Sequence, residues 1–267
     1  MAAAETALTR VTGSTGDPRS RLRLIGHRVA PLVLARELVV PVLPVLCGLL
    51  PEGGLKRGSV VAVKGPGATS LALALAAGAS DAGSWTAVVG DPSVGLMAAA
   101  ETGIALERLL MVDPPDARAW ATAMAALVGS VDMVIVGPGS RRPADTRRLS
   151  SRLRERGSVV IAVGGAWEPG PDVALTVIGA EWSGLGDGHG VLMSRRVTVR
   201  ADGRRAAARS REATLLLPGP DGAPAPVDAV DERWAGSDID RLLDAEAAAV
   251  RGRLLAAEPA VARTLGA

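Results

Sequence analysis

A glycine-rich turn at residues 65–70 has the residue types that could bind a phosphate group. An apolar run precedes it and an alanine- and leucine-rich run follows it, which is the strand–turn–helix order of a phosphate-binding loop (P-loop). A complete loop reads G-x-x-x-x-G-K-[ST], because the lysine contacts the β- and γ-phosphates and the hydroxyl binds Mg²⁺. Here Gly65 and Gly67 are separated by one residue and no lysine follows them. We therefore expect a degenerate loop that holds an anion weakly at most, with Thr69 and Ser70 capping the helix.

Composition leaves few other chemistries open. One cysteine, Cys47, and two histidines provide neither a disulfide framework nor a cysteine metal site. Cys47 lies in the apolar run VLPVLCGLL, where a buried thiol is expected. The sequence has no uncharged apolar run of about 18 residues, so we expect no membrane span. The first residues lack a signal peptide's basic and apolar regions, and we expect a cytoplasmic protein without metal or cofactor.

Strand and helix patterns alternate from residue 60 to residue 163, which predicts an α/β fold with a mostly parallel, twisted sheet flanked by helices. The first strands are continuously apolar, as strands buried on both faces are. After Gly165 we expect shorter, antiparallel strands at the sheet's edge. The predicted division is an N-terminal arm and helix (1–40), a core (41–217), a linker rich in Pro and Gly (218–236) and a C-terminal helical segment (237–267).

Two long stretches resemble the core of the bacterial recombinase RecA. They are GLLPEGGLKRGSVVAVKGPG and TGIALERLLMVDPPDARAWATAMAALVGSVDMVIVGP, and the resemblance covers roughly residues 40 to 200. It implies a RecA-like core in which the strand VDMVIV would end in the Walker B aspartate that holds Mg²⁺. Gly137 stands at that position.

Further departures from the RecA pattern remove the rest of the catalytic apparatus. Residues 90–93 occupy the place of the glutamate that activates water, and Gly164 and Gly165 occupy that of the γ-phosphate sensor. Phosphoryl transfer depends on positioned charge, and all of it is missing here. We therefore expect no ATPase activity, and no enzyme.

A RecA-like chain without catalytic residues, of this length and Arg/Ala-rich composition, is similar to the actinobacterial ImuA′ family of mutasome accessory proteins. The resemblance implies a role in SOS-induced translesion synthesis and mutagenesis after DNA damage. The implied partner is ImuB, an inactive Y-family polymerase homologue, and through it the sliding clamp and an error-prone C-family polymerase at the nucleoid. The alternatives are a SulA-like regulator of the cell-division GTPase and a RecA paralogue that binds nucleotide or DNA weakly.

Two arginine clusters could contact a nucleic-acid backbone. Each has seven arginines, within residues 141–156 and 195–211. Such contacts would be non-specific and salt-dependent, whereas the alternative is a solvated face. The candidate residues are Arg141, Arg142, Arg147, Arg148, Arg195 and Arg196.

A partner-binding groove is expected where the strand RLLMVD and the helix AWATAMAALV meet. RecA-type folds assemble when a neighbour's strand adds to the sheet edge and an apolar side chain enters a pocket beside it, which is β-augmentation. We hypothesise that the C-terminal tail of ImuB docks in this way; the alternative is plain core packing. The candidate lining residues are Leu110, Val112, Trp120 and Met124.

Overall fold

The computed structural model of the chain describes residues 38–139, 141–185, 190–204 and 209–230. The strands are β1 (Val39–Pro41), β2 (Gly54–Lys56), β3 (Val60–Lys64), β4 (Thr86–Val89), β5 (Leu109–Val112), β6 (Met133–Val136), β7 (Val159–Val163), β8 (Val173–Leu185), β9 (Gly190–Gly203), β10 (Arg211–Leu216) and β11 (Ala225–Pro226). The α-helices are α1 (Pro44–Cys47), α2 (Ala68–Asp81), α3 (Leu96–Thr102), α4 (Ala117–Leu127) and α5 (Pro143–Arg156).

Nine of the described strands form one sheet in the order β11-β10-β9-β8-β3-β7-β6-β4-β5. The six from β8 to β5 pair in parallel, and β9, β10 and β11 continue the sheet with antiparallel pairing. The four inner strands β3, β4, β6 and β7 are short and almost wholly buried because helices cover both of their faces. The predicted α/β fold with a mostly parallel sheet flanked by helices is confirmed.

Two hydrophobic cores lie on opposite faces of the sheet, since successive side chains of a strand point to opposite sides. On β3, Val61 and Val63 belong to the core formed with α2, whereas Val60 belongs to the core formed with α4 and α5. Helix α2 is buried along most of its length, because the segment from β1 through α1 covers its outer side. A Cβ atom on Gly78 of α2 would lie 2.6 Å from the backbone nitrogen of Leu43, so a glycine is required at this contact.

The C-terminal part of the sheet departs from two expectations. Strands β8 and β9 have 13 and 14 residues, longer than the short edge strands expected, because each pairs with the other well beyond the end of β3. The predicted linker at 218–236 is wrong for its first part. Residues 225–226 form β11 against β10, and residues 227–230 form a 3-10 turn, so backbone hydrogen bonding orders a segment whose composition is that of a linker.

The remaining terminal predictions, the arm before residue 38 and the helical segment at 237–267, lie outside the described residues. Within the described ranges, the helices are all too short or too polar to cross a membrane.

Candidate functional site

The glycine turn joins the end of β3 to the start of α2. Gly65 and Gly67 have φ angles of 94° and 74°, values that glycine adopts without strain. The N–H of Ala68 donates to the carbonyl of Gly65 at 3.2 Å, so the helix begins directly after the second glycine. The expected capping by Thr69 and Ser70 is wrong, because both lie inside the first turn of the helix and its N-cap is Gly67.

A side chain from a distant strand fills the space above this turn. Arg195 of β9 is 8% exposed, and its guanidinium lies against Gly67: a Cβ atom on Gly67 would be 2.7 Å from Cζ of Arg195. The Nε–H donates to the carbonyl of Leu217 at 2.8 Å, and the guanidinium lies over the Trp182 ring, 5.5 Å from its centroid. Burial lowers the pKa of Arg195. The arginine is therefore held from three sides beside the turn.

The end of β6 has no room for a Walker B acid. The N–H of Gly137 donates to the carbonyl of Val89 at 2.9 Å, which places the two strand ends side by side. A Cβ atom on Gly137 would lie 2.5 Å from Cβ of Asp91 and 2.8 Å from the carbonyl carbon of Gly90. Asp91 is buried, and its carboxylate accepts from the N–H and the hydroxyl of Ser93, at 3.3 and 2.5 Å. The loop after β4 thus occupies the volume that an acidic side chain would need.

A second arginine lies at the ends of β6 and β7. Nη2 of Arg141 donates to the carbonyls of Gly137, Val136 and Val163, the last two at 3.3 and 3.4 Å, and Nη1 donates to that of Ala166 at 3.5 Å. Burial lowers the pKa of Arg141. The side chain thus joins two strand ends, at the place where the resemblance to RecA would put Mg²⁺.

A nucleotide with Mg²⁺, which the resemblance to RecA implies, does not fit these residues. The turn lacks its lysine, Gly137 has no space for an acid, and guanidinium groups stand where the phosphates and the cation would be. Placing a cation beside Arg141 would bring two positive charges together at low dielectric. The absence of enzymatic activity remains a prediction.

The arginines expected to contact DNA separate into two groups. Arg141 and Arg195 are tied to backbone carbonyls inside the fold, so their assignment as DNA contacts is wrong in the described conformation. Residue type alone does not indicate this, because the carbonyls that hold the two side chains include those of Val163 and Leu217, each 22 residues away along the chain. The other four are exposed: Arg142, Arg147, Arg148 and Arg196.

Helix α5 gathers most of the exposed arginines on its outer surface. Its inner face consists of Thr146, Leu149, Ser150 and Leu153, at helical spacing. Three arginines outside the predicted set share the outer surface, and the helical period could have identified them: Arg152, Arg154 and Arg156.

The four predicted partner-binding residues lie on β5 and α4, at one edge of the sheet. Leu110 is 37% exposed and Val112 is half-buried. Trp120 is also half-buried and packs against the second core. Met124 is completely buried in that core and cannot line a surface groove, so its assignment is wrong. Met111, which lies outside the predicted set, is 41% exposed on the same strand.

The arrangement is that of an α/β protein whose nucleotide-type turn and strand ends are closed by its own arginines. Residues 48–169 match the family model described as the MT3502 N-terminal domain. The chain is 36% identical over 124 residues to the Mycobacterium tuberculosis protein Rv3395c, described as uncharacterized. That match covers 45% of this chain and 59% of the relative, so the chain spans about three fifths of the relative's length.

The chain is also similar to a solved structure of the RadB recombinase. The TM-score is 0.48 at 15% sequence identity, over 67% of this chain and 94% of the recombinase chain.

Proposed function

We propose that this chain is a non-catalytic adaptor on a RecA-type core, and that it binds a segment of a protein partner along strand β5. The observation that carries the proposal is the position of β5. Among the described strands it is the outermost at its end of the sheet, and it exposes apolar side chains instead of the charges that usually protect an edge.

The edge is suited to β-augmentation, in which a partner's strand adds to the sheet through main-chain hydrogen bonds. Among the described residues β5 pairs only with β4, so one side of its backbone is available. Leu110 and Met111 point to opposite sides of the sheet, because neighbouring residues alternate. Both are partly exposed, and an added strand would cover them. Trp120, half-buried on the neighbouring helix, offers an aromatic anchor beside the strand.

The partner in this proposal is the C-terminal tail of an ImuB-type inactive polymerase. The resemblance of residues 40–200 to the ImuA′ family supports it, and the similarity to a mycobacterial protein is consistent with an actinobacterial family. The chain would act in damage-induced translesion synthesis and would reach the sliding clamp and the error-prone polymerase through that partner. It would do so in the cytoplasm, at the nucleoid.

The test is co-purification of the full chain with the ImuB-type protein and with its C-terminal tail, without nucleotide. Leu110→Asp places a charge on the edge and should abolish the complex. Leu192→Asp is the matched control: it is the same substitution at a residue 47% exposed on β9, several strands from β5. Both variants should keep the wild-type circular dichroism spectrum. A complex that survives Leu110→Asp, or that Leu192→Asp disrupts equally, would refute the β5 edge as the docking site.

A second candidate activity is weak binding of a nucleic-acid backbone by α5. Five exposed arginines of this helix, Arg147 to Arg156, face away from the core. Nearby acids reduce the net charge: Arg147 forms an ion pair with Glu168 at 3.9 Å, and Asp145 and Glu155 lie on the helix. The net surface remains positive, which is the electrostatic requirement for non-specific binding.

A further inference from the structure

At the glycine turn, the backbone N–H donors at the start of α2 face the N–H donors of the Arg195 guanidinium. The first N–H groups of a helix have no partner within it and carry the positive end of its dipole. Helix α2 is 14 residues long and begins at Ala68, and none of the described side chains caps it. Nη2 of Arg195 is buried against this end, and the described residues provide it with no acceptor. A positive side chain at the positive end of a helix is unfavourable by itself, so other contacts must hold it there.

Those contacts come from the two strands that flank β9, because Trp182 lies on β8 and Leu217 directly follows β10. The Nε–H of Arg195 donates to Leu217, and the same two residues are joined by the backbone bond from the N–H of Leu217 to the carbonyl of Arg195 at 2.7 Å. The face of Trp182 attracts the guanidinium. Gly67 completes the arrangement, because a side chain at that position would overlap the guanidinium.

We infer that Arg195 is an internal occupant of the glycine turn: its guanidinium fills the volume that a phosphate would enter, orders the turn in place of a ligand and keeps polyphosphates out. The side chain is too deeply buried for an anion to reach Nη2 unless it moves. The turn thus differs from a P-loop in two ways: it lacks the lysine, and it is closed by a residue more than 125 positions away along the chain. This inference concerns the turn and is independent of docking at β5.

The test measures thermal unfolding of the full chain with two probes, pyrophosphate and guanidinium chloride, each at millimolar concentration. Pyrophosphate should leave the melting temperature of the wild-type chain unchanged. Arg195→Ala should lower the melting temperature by several degrees, and guanidinium should restore part of that decrease by entering the space left behind. Arg196→Ala is the matched control, since the Arg196 side chain is exposed on the other face of the same strand. Neither probe should change the melting temperature of this variant.

Two results would overturn the inference. One is pyrophosphate stabilisation of the wild-type chain, a measurement that needs no variant and would show that the turn is open. The other is an Arg195→Ala variant that has the melting temperature of the wild type and is not stabilised by guanidinium.

A double-mutant cycle provides an independent readout. Gly67→Ala carries the same backbone strain in either background, but only with Arg195 present does its new methyl group overlap a guanidinium. The substitution should therefore lower the melting temperature less in the Arg195→Ala background than in the wild type. Equal decreases in the two backgrounds would contradict the inference. If Arg195→Ala does not fold, the cycle is run with Arg195→Lys, whose ammonium cannot lie flat on the turn.

Discussion

Gly137 and Asp91 lie so close that a Cβ atom on the glycine would be 2.5 Å from Cβ of the aspartate. The contact arises because β4 and β6 are neighbours in register, and the loop after β4 folds over the end of β6. The position that the resemblance to RecA assigns to the Walker B acid is thus closed as well as vacated. Restoring the acid would require the loop at Gly90 and Asp91 to move.

Gly137→Asp should therefore lower stability without creating ATPase activity. Overlap with backbone atoms in a packed region costs roughly 1–3 kcal/mol, to be measured by urea unfolding beside an ATP hydrolysis assay. Gly95→Asp is the control, because Gly95 is the N-cap of α3 and its backbone is extended. A Cβ atom there would have one neighbour within 4 Å, the Cβ of Ala98. Aspartate is a good N-cap, so that control should match or slightly exceed wild-type stability. A Gly137→Asp variant as stable as the wild type would show that the loop yields easily.

Met124 and Leu110, both predicted to bind a partner, should respond differently to truncation. Met124 is completely buried, so Met124→Ala should cost about 2–5 kcal/mol. Leu110 is 37% exposed at the sheet edge, so Leu110→Ala should cost clearly less. Urea unfolding of the two variants measures both values. Equal costs would mean that Leu110 belongs to the core and that the edge is not free for a partner.

Ser150 should stabilise the fold through the buried indole of Trp167. The indole N–H donates to the Ser150 hydroxyl at 2.9 Å, and that hydroxyl lies 2.8 Å from the carbonyl of Thr146, to which it donates. Ser150→Ala leaves the indole N–H without its acceptor in the core, at a cost of about 1–3 kcal/mol. Ser151→Ala, one position along on the exposed side of α5, should have almost no effect. Thermal unfolding of both variants tests the difference, and similar melting temperatures would contradict it.

Arg141 should be more important for stability than its exposed neighbour Arg142. Arg141→Lys keeps the charge, but the lysine side chain is shorter and has no second nitrogen to replace Nη1, which bonds Ala166, so we expect a decrease in stability of about 1–3 kcal/mol. Arg142→Lys should remain within about 0.5 kcal/mol of wild type. Urea unfolding distinguishes them. If Arg141→Lys is neutral, the guanidinium does not hold the strand ends together.

Binding of single-stranded DNA by α5 should depend on the exposed arginines of that helix. Replacing Arg148 and Arg152 by alanine should weaken binding and lower the slope of log K against log salt by about 0.7 for each of the two side chains that pairs with a phosphate. Fluorescence anisotropy over a series of salt concentrations gives both values. Arg196→Ala, on the distant strand β9, is the control. An unchanged slope in the double variant would exclude α5 as the DNA-binding surface.

The order of strands and helices could be predicted from the sequence between residues 60 and 163. Continuous apolar runs such as VVAVK and VVIAV are separated by helical runs that end at or near glycine, and these local signals agree with the final fold. The linker prediction fails within residues 218–230. Their Pro and Gly content indicates a linker, but β11 pairs with β10 through backbone hydrogen bonds, which composition does not reveal.

The sequence by itself determined that the phosphate turn is incomplete, because motif chemistry depends on residue types at fixed spacing. Its resemblance to RecA implied that Gly137 stands where an acid would be. Only the tertiary structure decided what fills those places. Arg195 reaches Gly67 because β9 is separated from β3, the strand before Gly67, by β8 alone. Arg141 contacts Val163 because β6 and β7 are paired. Arginine is polar and is expected at the surface. Whether a particular arginine is buried depends on carbonyl groups that can accept its hydrogen bonds and on glycines that leave room for it. These come together only when strands distant in sequence assemble.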